Sequence, residues 1–189
     1  MKRTVLIFGL ISGAVSAVLM LSTQPFMDRI GFDKGLIIGY TSIVLSFLMV
    51  FFGIRSYREN IGGGEITFGR ALSVGILITL ISTLCYVATW EVIYFGFNFD
   101  FCGKYSTYMV DKAINSGASQ QAIEVIRQQM KDMKTMLDNP LLNAAMTFIE
   151  PFPVGLVITL ISAAILRKKR TPGGRPADER GYSQVQAQS

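Results

Sequence analysis

The sequence predicts an all-α integral membrane protein. The architecture is a four-helix transmembrane bundle with an extra amphipathic helix in the outer loop between spans 3 and 4. Half of the 189 residues are apolar, and the 18 basic and 13 acidic side chains are segregated. Residues 4–27 carry no charge, 35–54 none, 71–99 only Glu91 and 139–166 only Glu150. A helix on the surface of a soluble domain shows a polar face every turn. These runs are apolar on all sides, and ~20 residues at a 1.5 Å rise match the ~30 Å hydrocarbon core of a bilayer.

The spans are placed at about 4–21, 35–54, 71–95 and 141–166. The first follows Met1-Lys2-Arg3, as an export signal would, and Val15-Ser16-Ala17 has the small-residue pattern of a cleavage site. A signal peptide's apolar core runs roughly 7–15 residues. This one is longer, so it is read as a retained transmembrane helix. Orientation follows from lysine and arginine, which keep short loops cytoplasmic. The N-terminus, the connection with Arg55, Arg58 and Arg70, and the tail from Arg167 to Arg180 together hold eleven basic residues. The first connection balances Arg29 and Lys34 with Asp28 and Asp33, and the segment 98–140 has five basic residues against five acidic. Four spans with both termini cytoplasmic satisfy these counts. The net charge of +5 is thus an orientation signal and not a nucleic-acid footprint. Arg55, Arg58, Arg70, Arg167, Lys168, Lys169 and Arg170 are candidate contacts for anionic lipid headgroups.

Between spans 2 and 3, Gly62-Gly63-Gly64 suggests a phosphate cradle, but such a loop follows a strand and leads through Gly-Lys-Ser/Thr into a helix. Here a span precedes it, and Gly69 is followed by Arg70-Ala71. The glycines are read as a tight cytoplasmic turn, with Thr67 capping the next helix and Arg58 pairing with Glu59 or Glu65. Trp90, Tyr94, Phe95, Phe97, Phe99 and Phe101 gather where span 3 should leave the membrane, as an interfacial aromatic belt does. In the outer segment, Ile123, Ile126, Met130, Met133 and Leu137 recur at alternating spacings of three and four. That predicts a helix over about 117–138, started by Ser116 or Ser119 and ended by Asn139-Pro140. Its stripe packs on the bundle, lies in the lipid interface, or meets a partner. The remainder, 171–189, is Pro-, Gly-, Gln- and Ser-rich and reads as a disordered cytoplasmic tail.

Small residues mark the helix contacts. "VGILITLIS" (Val74–Ser82) and "VGLVITLIS" (Val154–Ser162) share seven of nine residues. Each sets a glycine, a threonine and a serine on one helix face, and span 1 offers Gly9, Gly13 and Ala17. Such faces allow close approach in lipid, where hydrophobic burial no longer drives association.

Candidate chemistry is sparse. There is no histidine, which removes the commonest metal ligand, the commonest general base and the usual catalytic triads. Cys85 and Cys102 are too few for a disulfide framework. Ionisable residues in spans are functional candidates by default, so Glu91 and Glu150 are singled out. Counting from Arg70 and Arg167, they lie ~31 Å and ~25 Å out at 1.5 Å per residue, near the outer interface. If the helices brought them close they would share a proton or a cation. Otherwise each pairs with Lys104, a tyrosine or a backbone amide. "EPFP" at Glu150–Pro153 should kink the fourth helix.

The stretch "IRSYREN…GGGEITFGRALSVGILITLISTLCYVATWEVIY", followed by "SGAS…NPLLNAAMTFIEPFPVGLVITLISAAILRKK", resembles the bacterial membrane-protein family called domain of unknown function 4199. The likeness covers roughly residues 4–170 and implies a four-span inner-membrane protein. It carries over no catalytic residue. The function expected is that of an accessory or envelope-organising interaction protein. Its partners would be the bilayer, a protein or a second copy of the chain, met through small-residue faces or the 117–138 helix. The alternative is an oligomeric channel or carrier using Glu91 and Glu150. An enzyme is the least supported class, and no cofactor, metal or nucleic acid is expected.

Overall fold

A computed structural model describes residues 1–97 and 100–168, apart from the side chain of Asp28. The disordered-tail reading (171–189), the basic residues Lys169 and Arg170, and Phe99 of the aromatic series lie outside the described residues. The chain runs through α1 (Lys2–Thr23), a 3₁₀ turn (Gln24–Phe26), α2 (Met27–Ile30) and α3 (Phe32–Asn60). It continues through α4 (Phe68–Glu91), a π turn (Val92–Gly96), α5 (Phe101–Asn115), α6 (Gln120–Leu137), α7 (Pro140–Ile149) and α8 (Pro151–Leu166). No strand occurs among the described residues, where a lone antiparallel bridge joins Ile66 to Lys168.

Four helical stretches are long and apolar enough to cross a membrane: Lys2–Phe26, Phe32–Asn60, Phe68–Gly96 and Pro140–Leu166. They contain the four expected spans and outrun them at several ends. α3, for instance, continues through Arg55 to Asn60. The fourth is broken between α7 and α8, as the prolines require. Pro151 and Pro153 have no N–H to offer Thr147 and Ile149, so the helical ladder lapses at Glu150.

α4 is the centre of the molecule. It packs on α1, α3, α7 and α8, while α1 and α8 both pack on α3, so the α3–α4 pair separates the first helix from the last. The contacts are made where side chains are small. A Cβ on Gly9 would stand 2.8 Å from Ile81, and one on Gly13 2.5 Å from Cys85 Cβ. Residue numbers rise together there, so α1 and α4 run parallel. On the other side, a Cβ on Gly75 would meet Thr159 Cγ2 at 2.5 Å, and one on Gly155 would meet Thr79 Cγ2 at 2.5 Å. These numbers run oppositely, so α4 and α8 are antiparallel. The near-repeat now has a physical reading. Val74–Ser82 and Val154–Ser162 face each other about a local two-fold axis, each glycine receiving the other's threonine.

Hydroxyls close the remaining gaps. Thr79 Oγ1 and Thr159 Oγ1 share a hydrogen bond of 2.9 Å on that axis. Ser12 Oγ donates to Ser46 O at 2.8 Å, Ser46 Oγ returns a bond to Ser12 O at 3.0 Å, and Ser12 Oγ also lies 2.8 Å from Ser82 Oγ. These hydroxyls tie α1 to both α3 and α4. Among the buried hydroxyls of the described residues, only that of Thr83 has no partner.

The bundle has a basic end and an aromatic end. At the basic end Gly63 and Gly64 hold φ of 63° and 85°, which residues with a Cβ avoid. Thr67 Oγ1 accepts from Arg70 N and starts α4, as expected. Arg58 pairs with Glu59 and donates to Leu166 O at 3.3 Å, while Arg70 Nε donates to the buried Tyr57 hydroxyl at 3.0 Å. The glycine turn is thereby tied to the end of α8.

Replacing Gly155 or Gly75 with Val should destabilise the bundle by about 1–3 kcal/mol, the usual cost of overpacking. Thr79→Val should cost about 0.6 kcal/mol, typical of a hydrogen bond between membrane helices. Reversible denaturation in mixed micelles, followed by circular dichroism, measures both, and the glycine variants should be the worse.

Candidate functional site

The polar side chains converge at the aromatic end, where four elements meet. Asn139 caps α7 by accepting from Leu141 N and Leu142 N, and Pro140 fills the first helical position. One turn on, Asn143 is fully buried. Its Oδ1 accepts from Trp90 Nε1 at 2.9 Å and from Thr147 Oγ1 at 3.2 Å. Its Nδ2 donates to Leu137 O, the end of α6, at 2.9 Å. One amide thus joins α4, α6 and α7. Beside it Tyr94 donates to Asp138 Oδ1 at 3.0 Å, and Asp138 takes both oxygens to Lys134 Nζ at 3.1 and 2.9 Å. The Lys134 bond, then that from Tyr94, holds the Asp138 carboxyl below its usual range, and Asp138 in turn raises Lys134. Cys102 is a buried free thiol with its Sγ 3.4 Å from the Tyr94 hydroxyl; Cys85 is free as well.

The aromatic residues serve this junction more than a belt. Trp90 meets Phe101 edge-on with centroids 5.3 Å apart, and Trp90 and Tyr94 are 6.0 Å apart. Phe101 stacks on Tyr105, and Phe32 at the start of α3 meets Phe101, Tyr105 and Tyr108. Phe95 and Phe97 remain exposed, as belt residues would. Sequence reasoning missed α5 altogether. Its signal was available in Asp100, which accepts from Gly103 N at 2.9 Å as an N-cap, and in Phe101, Tyr105 and Tyr108, which recur at helical spacing. α6 begins later than expected, because Ser119 is its cap and Ser116 ends α5. Ile123 and Leu137, at the ends of its stripe, are buried, and α6 packs on α5 and α7.

The two membrane carboxylates are not hydrogen-bonded to each other. Glu150 Oε2 accepts from the Tyr86 hydroxyl at 3.2 Å, the tyrosine pairing expected as one outcome. Glu91 lies five residues beyond Tyr86 on α4, ~140° round the helix. One of its oxygens is buried without a partner among the described residues. No group of three His, Cys, Asp or Glu placed to hold a metal occurs among the described residues. At the basic end, Arg55, Arg167 and Lys168 are exposed, whereas Arg58 and Arg70 are engaged with Glu59, Leu166 O and Tyr57.

Four membrane-length helices around a small-residue core, joined at one end by a polar junction, define a multi-pass helical membrane protein. Within that class, the family model described as Protein of unknown function (DUF4199) matches residues 7–168, and the chain belongs to that family. No curated protein and no solved structure matches it.

Asn143→Ala should leave the indole N–H and the Leu137 carbonyl without their partner, at about 1–3 kcal/mol per orphaned group. Asn143→Asp keeps the acceptor for Trp90 but sets a carboxylate oxygen against the Leu137 carbonyl in a fully buried place, and should destabilise at least as much as Ala. Thermal unfolding in detergent ranks the three. Fluorescence of Trp90, the single tryptophan, should shift in the Ala variant.

Proposed function

We propose that this chain is a small multi-pass protein of a bacterial inner membrane, with both termini cytoplasmic, that works by association as an accessory or envelope-organising component. The observation that supports this reading over transport is the closed interior. The helices approach until a Cβ on Gly9, Gly13, Gly75 or Gly155 would overlap a neighbour, and the Ser12, Ser46, Ser82, Thr79 and Thr159 hydroxyls are bonded across helices. A carrier needs several polar groups free at mid-depth to receive its cargo, and among the buried hydroxyls of the described residues only that of Thr83 is without a partner. Glu150 is already held by Tyr86. With no histidine in the chain, general acid–base chemistry lacks its usual agent, and we propose no catalysis.

Association would use the α5–α6 hairpin on the outer side. Ile123 and Leu137 of the stripe are buried and α6 packs on α5 and α7, so the surface we propose for a partner is the opposite face of α6. There Val125 and Met136 are half exposed about three turns apart, set among charged and amide side chains. At the cytoplasmic end, exposed Arg55, Arg167 and Lys168 would rest on anionic headgroups, at about 1 kcal/mol per basic residue near the surface.

Cysteines introduced at Ser116 and Ser183 test the placement. In intact cells a membrane-impermeant maleimide should label Ser116→Cys and leave Ser183→Cys unmodified until lysis; the reverse pattern overturns the orientation. A crosslinker at Met136 should then capture a discrete partner or a second copy. Solute flux in liposomes that is abolished by Glu150→Gln would replace association with transport.

A further inference from the structure

A cleft of about 730 Å³ lies where α5 passes the corner between α2 and α3, and neither Asn143 nor either membrane glutamate lines it. Its size is within the roughly 300–1,000 Å³ of small-molecule sites. The charged lining is mixed: Asp33, Asp100 and Asp111 against Lys104 and Lys112. The wall is built by docking. Phe32 packs on Tyr105 and Tyr108, and the Tyr108 hydroxyl donates to Asp33 Oδ1 at 2.5 Å. Lys112 Nζ donates to the same oxygen at 3.0 Å and to the Tyr108 hydroxyl at 2.9 Å. Asp33 thus has its second oxygen outside this set. Asp111 makes no hydrogen bond or ion pair to a described residue.

The corner also sits on an apolar track. Leu36, Ile37, Tyr40 and Val44 follow Asp33 at i+3, i+4, i+7 and i+11, so they continue its face of α3 into the membrane-length helix. All four are exposed, Ile37 by 68% and Leu36 by 56%. A charged cleft at the head of an exposed apolar stripe has the shape of a lipid, polar above and apolar below.

We propose that this cleft holds the headgroup of a phosphatidylethanolamine-type lipid, its ammonium against Asp111 and Asp33, its phosphate near Lys112, and an acyl chain along Leu36, Ile37 and Tyr40. The charge pattern selects among headgroups. A purely anionic head would face three carboxylates. A choline head carries its positive charge without an N–H, so the carboxylates would have no hydrogen bond to accept. A primary ammonium beside a phosphate satisfies both signs. This inference rests on the four long helices being membrane spans, and on neither the orientation nor the associative role proposed above.

The test uses the full chain in detergent with equal parts of ethanolamine, choline and glycerol phospholipids of identical acyl composition, read by native mass spectrometry. Wild type should retain the ethanolamine lipid severalfold over the other two. Asp111→Asn, a change at an exposed residue, and Lys112→Ala should each bring the ratio towards one, with helical content unchanged by circular dichroism. Should Lys112→Ala unfold the corner, Asp111→Asn decides by itself. Equal retention of the three lipids by wild type, or a preference unmoved in Asp111→Asn, would overturn the proposal. Free phosphoethanolamine that displaces the lipid at comparable concentration would assign the cleft to a soluble zwitterion and overturn the lipid reading.

Discussion

The structure depends on how closely α4 can approach its neighbours. In a bilayer the lipid tails are as apolar as leucine, so nothing resembling the aqueous hydrophobic effect presses helices together. What remains is dispersion at short range, which falls away within an ångström of a poor fit, and hydrogen bonds between helices. Gly75 against Thr159 and Gly155 against Thr79 bring α4 and α8 to that range, and the Thr79–Thr159 bond sits at the centre of the contact. Gly9 and Gly13 do the same for α1 against Ile81 and Cys85. Three of the four spans are thus organised by faces of one helix, and α3 closes the set through the paired serines Ser12 and Ser46.

From that centre the aromatic end follows. α4 carries Trp90 to Asn143, and Asn143 carries α7 to the last carbonyl of α6. The proline break at Glu150 divides this stretch into α7, which meets the junction through Asn143, and α8, which pairs with α4 through the glycine–threonine contacts. The π turn at Val92–Gly96 ends α4 and leads towards α5, whose aromatic face docks on Phe32. The segment after α4 is therefore attached at three places: Asn143, the Tyr94–Asp138–Lys134 chain and the Asp33–Tyr108–Lys112 corner. At that corner, the Tyr108 hydroxyl and the Asp33 carboxylate keep Lys112 more firmly protonated than an ordinary lysine.

What was legible in the sequence follows the strength of its physical signals. The four spans were, since charge exclusion over 18 or more residues has few other causes. The cap at Thr67 was, and that of α6 was narrowed to Ser116 or Ser119, because an oxygen before a helical run can reach the free N–H groups of its first turn. The glycine turn was too, by the same steric logic. The near-repeat was visible, but its meaning was not. A shared "VG…ITLIS" becomes a two-fold contact only once α4 and α8 are known to be antiparallel neighbours. α5 escaped because its apolar face is aromatic and interrupted by Lys104, Thr107 and Asp111, which reads as a polar loop until Phe32 supplies the surface it packs on. Asn143 escaped for a related reason. An asparagine in an apolar run announces cost, and the partners that offset it lie 53 and 6 residues away. Glu91 and Glu150 stood out as isolated charges, yet what each one meets depends on its azimuth round the helix, which spacing alone leaves open.

The bundle depends most directly on the α4–α8 contact, and disulfide crosslinking in native membranes measures it. With Cys85 and Cys102 replaced by alanine, Thr79→Cys and Thr159→Cys in one chain should form an intramolecular disulfide rapidly under mild oxidation. The control pair Leu77→Cys and Thr159→Cys, with Leu77 on the exposed side of α4, should remain reduced. A Thr79–Thr159 pair that stays reduced, or a control pair that crosslinks equally well, would contradict the packing from which the rest of this structure is derived.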